Sequence, residues 1–85
     1  MTKTIFITGG SRGIGEALVK KCAGSYNVAF TFNRSAECAK CLQDELNATY
    51  GGVFAMHCDV SDPQSVSDAV AAVKKRFGKI DILVN

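Results

Sequence analysis

The chain has 85 residues, 47% of them hydrophobic and 21% charged, which is too apolar for intrinsic disorder and long enough for one small domain, not two. Ten Lys and Arg against eight Asp and Glu leave a formal charge of +2, too mild an excess for the basic face of a nucleic-acid binder. No run approaches the roughly 18 apolar residues of a membrane helix, and the apolar stretch after Met1 is too short for a signal peptide, so the chain is expected in the cytoplasm.

Residues 3–8 are rich in β-branched side chains and read as a strand buried on both faces. The glycine-rich turn Gly9-Gly10-Ser11-Arg12-Gly13 follows, then a helical stripe of Ile14, Ala17, Leu18 and Cys22, closed by Gly24-Ser25. Residues 28–32 form a second strand, and Asn33-Arg34-Ser35 begins the next connection. A second helix over 35–50 carries Ala39, Leu42 and Leu46 on one face and ends before Gly51-Gly52. Residues 53–58 are the third strand. Ser61-Asp62-Pro63 supplies a capping side chain and a proline at the first helical position. The third helix buries Val66, Ala69, Val70, Val73 and Phe77, and Gly78 terminates it. Residues 80–84, apolar apart from Asp81, form a fourth strand.

This β-α-β-α-β-α-β order predicts an α/β fold: a doubly wound, Rossmann-type parallel sheet with right-handed crossovers and helices on both faces. The basic run Lys74-Lys75-Arg76, with Lys79, falls at a helix end, where cations complement the dipole. Cys38-x-x-Cys41 and His57-Cys58 hold four side chains of zinc-binding type. The first pair lies inside a helical pattern rather than a knuckle turn, so no metal is expected, and all four cysteines (Cys22, Cys38, Cys41, Cys58) are read as small packing residues. His57 is read as half-exposed on a strand near the sheet edge.

Ligands of open α/β sheets bind at the carboxyl ends of the strands, so the turn after the first strand is the first place to look. There, free amides and the positive end of a helix dipole favour an anion, and glycines let the backbone approach a pyrophosphate. The spacing is G-x-x-x-G-x-G, carried by Gly9, Gly13 and Gly15, rather than G-x-G-x-x-G. A nucleoside-triphosphate loop from Gly10 to Gly15 would need Lys and then Ser or Thr next. Glu16 and Ala17 stand there, which disfavours a phosphate-binding hydrolase. No serine sits in a nucleophile elbow beside His57 either.

These segments resemble the short-chain dehydrogenase/reductase family. Thr8-Gly9-x-x-x-Gly13-x-Gly15 is similar to its cofactor turn, and Asn33-Arg34-Ser35, Cys58-Asp59-Val60 and Asp81-Ile82-Leu83-Val84-Asn85 agree in order and place. The resemblance spans essentially the whole chain. It is closest to the 3-oxoacyl-(acyl-carrier-protein) reductases of fatty acid synthesis, with sugar-alcohol and ketone reductases sharing the segments. It implies cofactor contacts from Gly9, Ser11, Arg12, Gly13, Ile14, Gly15, Asn33, Arg34, Ser35, Asp59, Val60 and Asn85. Asp59 would accept from the adenine amino group, Val60 would pack beside the ring, and Thr8 would tie strands together.

About 20 residues beyond the glycine turn, an NAD site carries a carboxylate for the ribose 2′-hydroxyl. Asn33 and Arg34 stand there instead, and Arg12 lies in the turn, so two guanidinium groups are available to a 2′-phosphate and NADP(H) is the expected cofactor. The alternative is that both arginines are solvated surface charges, and that Asp59 is a helix-start carboxylate. Catalysis in the family needs Tyr-x-x-x-Lys and an upstream serine. Tyr26 and Tyr50 have Phe30 and Phe54 four residues on, so no catalytic residue is assigned.

Asn85 matches the first residue of the family's Asn-Asn-Ala-Gly segment. Residues 1–85 therefore read as the NADP(H)-binding part of a larger domain, cut at a fourth strand whose apolar edge is uncovered, and inactive alone. The complete enzyme would reduce a small or carrier-bound carbonyl as a homo-oligomer, without nucleic acid or membrane. The competing reading is a non-catalytic dinucleotide-binding module.

Overall fold

In the computed structural model, which describes residues 2–10 and 13–84, seven elements follow in chain order. They are β1 (Thr4–Ile7), α1 (Gly13–Cys22), β2 (Asn27–Phe32), α2 (Ala36–Thr49), β3 (Val53–His57), α3 (Pro63–Phe77) and β4 (Ile82–Val84). All strand pairs are parallel, in the order β3-β2-β1-β4. The chain thus steps outward from β1 to β3 and then crosses back to place β4 on the other side of β1.

Strand alternation divides the core in two. Ile5, Ile7, Val28, Phe30 and Val53 face α1 and α2 and pack with Val19, Cys22, Ala39, Leu42 and Leu46. Phe6 and Ala29 face the other way, onto Ala69 and Val73 of α3, with Val66, Val70 and Phe77 half-buried beside them. Helices therefore cover both faces, as the doubly wound reading requires. Burying Phe6 and Phe30 fully stabilises the fold by about 1.5–3 kcal/mol each.

Local chemistry sets the helix ends. The Asp62 carboxylate accepts from the Gln64 N–H, Pro63 opens α3, and Gly78 ends it in the left-handed conformation. Lys74, Lys75 and Arg76 fill its last turn, and the Arg76 guanidinium lies over the Phe54 ring of β3 at 5.4 Å.

Three expectations need correction. Ile14 and Ala17 do not belong to the buried stripe of α1: Ile14 is 89% exposed, and the core side is Leu18, Val19 and Cys22. Val19 sits one helical turn after Gly15 and before Cys22, so it shares their face. Cys38 and Cys41 are exposed on α2 rather than packed; Cys22 and Cys58 are the buried pair. The fourth strand begins at Ile82, because Asp81 turns its carboxylate onto the Thr4 N–H (2.8 Å) while its own N–H meets the Thr4 carbonyl.

Candidate functional site

The carboxyl ends of β1, β2 and β3 surround a cleft of about 280 Å³ lined by Thr8, Gly9, Thr31, Phe32, Asn33, Cys58 and Val60. It lies where open α/β sheets take ligands, and its size suits one end of a dinucleotide. Beside it, Arg34, Ser35, Ala36, Glu37 and Cys38 line a shallower depression.

The glycine turn is held from below. Gly9 N–H donates to the buried Thr31 hydroxyl (3.0 Å) and Gly10 N–H to the Thr31 carbonyl (3.1 Å), so the end of β2 fixes the path of the turn. Thr8 N–H donates to the Val84 carbonyl at 2.9 Å, and its hydroxyl leans on the same oxygen at 3.4 Å, tying β1 to β4 as expected.

The glycines divide by reason. A Cβ on Gly10 would meet Phe30 Cβ at 2.5 Å and Val19 Cγ2 at 2.9 Å, and one on Gly15 would overlap the Gly9 carbonyl, so packing requires both. Gly9 (φ +73°) and Gly13 (φ +57°) are required by backbone conformation and have open space where a side chain would stand. That open space is where a pyrophosphate can approach the backbone and the N-terminus of α1. Gly10 was missing from the sequence-derived set; its signal was the run of adjacent glycines, whose packing role depends on Phe30.

The described cofactor candidates gather at one end of the sheet. Gly9, Asn33 and Val60 line the cleft, Arg34 and Ser35 the adjoining depression, and Gly13, Ile14 and Gly15 form the start of α1. Ser11, Arg12 and Asn85 lie outside the described residues. Ile14 and Val60 present exposed apolar side chains there, at 89% and 62% exposure. Arg34 is exposed and has no carboxylate partner among the described residues.

Asp59 is built into the loop after β3. Its Oδ1 accepts from the Ser61 hydroxyl (2.6 Å) and the Ser61 N–H (3.0 Å), and its own N–H donates to Ser65 Oγ. Those bonds, the hydroxyl first, hold the carboxyl below its ordinary range, so it is an anion at neutral pH with Oδ2 left for another donor. The helix cap itself is Asp62, which frees Asp59 from that role. His57 is exposed on the edge strand β3, edge-on to Phe32 with ring centroids 5.9 Å apart. Among the described residues, no group of three or more His, Cys, Asp or Glu is placed to hold a metal, and no helix is long and apolar enough to cross a membrane.

Comparison with known proteins agrees with this geometry. The short chain dehydrogenase family model matches residues 3–85. The 3-oxoacyl-(acyl-carrier-protein) reductase FabG of Staphylococcus aureus is 37% identical over 86 residues, covering 100% of this chain and 35% of that protein. A short-chain dehydrogenase/reductase from Serratia marcescens superposes with a TM-score of 0.92 at 40% identity, over 98% of this chain and 34% of that one. An alcohol dehydrogenase from Thermococcus sibiricus, solved with 5-hydroxy-NADP, gives 0.89 at 38% identity, over 98% and 36%. The chain thus spans about a third of the length of these relatives, and the match of the family model to residues 3–85 places it in the short-chain dehydrogenase family.

Proposed function

We propose that the chain is the cofactor-binding part of an NADP(H)-dependent oxidoreductase that reduces a carbonyl to an alcohol in the cytoplasm. The substrate class favoured is the 3-oxoacyl thioester on a carrier protein, as in fatty acid synthesis, because the FabG relatives match along the whole chain. The observation that carries the cofactor reading is the juxtaposition at the end of β2. The cleft wall continues from Asn33 into the exposed Arg34, which has no carboxylate partner among the described residues. The positions directly after β2 (33–35) carry no acid, the first in sequence being Glu37 of the same depression.

Gly9 and Gly13 leave room for the pyrophosphate, and the first-turn amides of α1 attract its charge. Arg34 would pair with a 2′-phosphate through charge-assisted hydrogen bonds. Val60 would pack against the adenine, whose amino group is within the chemistry of the Asp59 carboxylate. When bound, the nicotinamide supplies the hydride. Neither tyrosine of this chain is followed by lysine at the family's spacing, so the proton donor must come from residues outside it, and the 85 residues by themselves are expected to bind and not reduce. The complete protein would work as a homo-oligomer.

Titration with NADP⁺ and NAD⁺ tests the proposal. NADP⁺ is expected to bind about tenfold or more tightly, the worth of one charge-assisted contact. Arg34→Asp should narrow or reverse that preference. Equal affinities in the unmodified protein would remove the 2′-phosphate argument.

A further inference from the structure

We propose that Cys38 and Cys41 form a reversible dithiol–disulfide site at the head of α2, and that closing it weakens the hold of Arg34 on a 2′-phosphate. The second half of this inference rests on the cofactor reading above; the first stands alone.

The two thiols are exposed while Cys22 and Cys58 are buried, so a disulfide reagent in solution meets this pair first. They stand three residues apart, Cys38 in the first turn of α2 and Cys41 one turn later. Helical neighbours at that spacing have Cβ atoms about 5–6 Å apart, and a disulfide holds them at about 3.5–4.5 Å. The pair must therefore close by about 1.5 Å, which a rigid mid-helix turn resists.

The first turn of α2 yields more readily. Its leading amides have no intrahelical acceptor, and the Ser35 side chain makes no capping bond. The bond from Ala39 N–H to the Ser35 carbonyl (2.9 Å) ties the cap residue to the helix. Cys38 also lines the same depression, about 380 Å³, as Arg34 and Ser35. Drawing Cys38 toward Cys41 therefore reshapes the wall that carries Arg34.

The chemistry is thiol–disulfide exchange with a small disulfide such as oxidised glutathione. One cysteine thiolate attacks the glutathione S–S bond, releasing one glutathione thiol and forming a mixed disulfide. The second thiolate then attacks the protein sulfur of that bond and releases the other glutathione. The cysteine pair loses two electrons, the reagent gains them, and the two thiol protons end on the released glutathiones.

The test treats the full-length protein with oxidised glutathione and reads intact mass, peptide map and affinity. The folded protein should lose two hydrogens, with the peptides on either side of Lys40 remaining joined after trypsin. Cys38→Ser and Cys41→Ser should each abolish that loss. The oxidised form should bind NADP⁺ about tenfold more weakly, with less change for NAD⁺, and dithiothreitol should restore both. A mixed disulfide that never resolves, or a loss of two hydrogens that survives Cys41→Ser, overturns the dithiol site. A disulfide that forms without changing NADP⁺ affinity overturns the coupling. If the reduced protein does not prefer NADP⁺, the cofactor reading fails and the coupling with it, while the mass readout still decides the disulfide.

Discussion

The two ends of the sheet are finished differently. At the amino end, side chains close the strand starts. Asn47 donates to the Val53 carbonyl and accepts from the Val53 N–H, both at 2.9 Å, and the Asp81 carboxylate accepts from the Thr4 N–H at 2.8 Å. At the carboxyl end the chain is held through Thr31 and then released into a glycine turn, a cleft and the exposed side chains of Ile14 and Val60. Both ends use polar side chains to fix the backbone, but only the carboxyl end also leaves a cleft open and apolar side chains exposed beside it. Changes at the amino end should therefore move stability and not cofactor affinity, and changes at the carboxyl end the reverse.

The largest effect is expected from Asn47→Ala. It removes both bonds to Val53 and bares the outer edge of β3, where the Gln43 carboxamide oxygen accepts from the Ala55 N–H in the same manner. Two hydrogen bonds are worth about 2 kcal/mol together, which should lower the urea midpoint without changing the slope. The NADP⁺ affinity of the folded fraction should stay put. A large loss of affinity would mean that the two ends are coupled through α2.

Acid should test the amino-end closure next. Asp81 is held below the ordinary carboxylate range by the Thr4 N–H first and by Lys79 (3.3 Å) after it. Because its folded value is depressed, its contribution to stability is complete above the unfolded value, about 3.9, and is lost as pH falls through the folded one. Asp81→Asn should lower stability at neutral pH and flatten part of the decline below about pH 4. An unchanged acid limb of the stability curve would remove Asp81 from the amino-end closure.

These closures were the least legible part of the sequence. Periodicity and turn chemistry are local, so they located the Asp62-Pro63 start of α3, the Gly78 stop, and the core positions Ala39, Leu42 and Leu46 of α2. The glycine turn and its placement after a buried strand were legible for the same reason. Asp81 and Thr4 are 77 positions apart and meet only once β4 has crossed to the far side of β1. Asn47 and Gln43 read as ordinary helix residues until β3 lies beside them. Ile14 misled because an apolar residue at a helix start counts toward the buried stripe by spacing alone. Its exposed side chain stands at the start of α1 beside the glycine turn, where the local pattern of the helix no longer predicts what a side chain faces.

Val60→Ser carries the smallest expected change in stability and is the sharpest test of the carboxyl end. Val60 is 62% exposed, so little apolar surface is lost from the core, and the folded state should shift by less than about 0.5 kcal/mol. Its side chain nevertheless forms a wall of the cleft with Cys58 and Phe32. An apolar residue left in water at the rim of a concave site gains its packing when a flat ring covers it. Removing it should weaken NADP⁺ and NAD⁺ equally, since both carry the adenine, and so leave their ratio intact where Arg34→Asp changes it. A stability loss as large as that of Asn47→Ala would instead make Val60 part of the fold, and the division between the two ends would not hold.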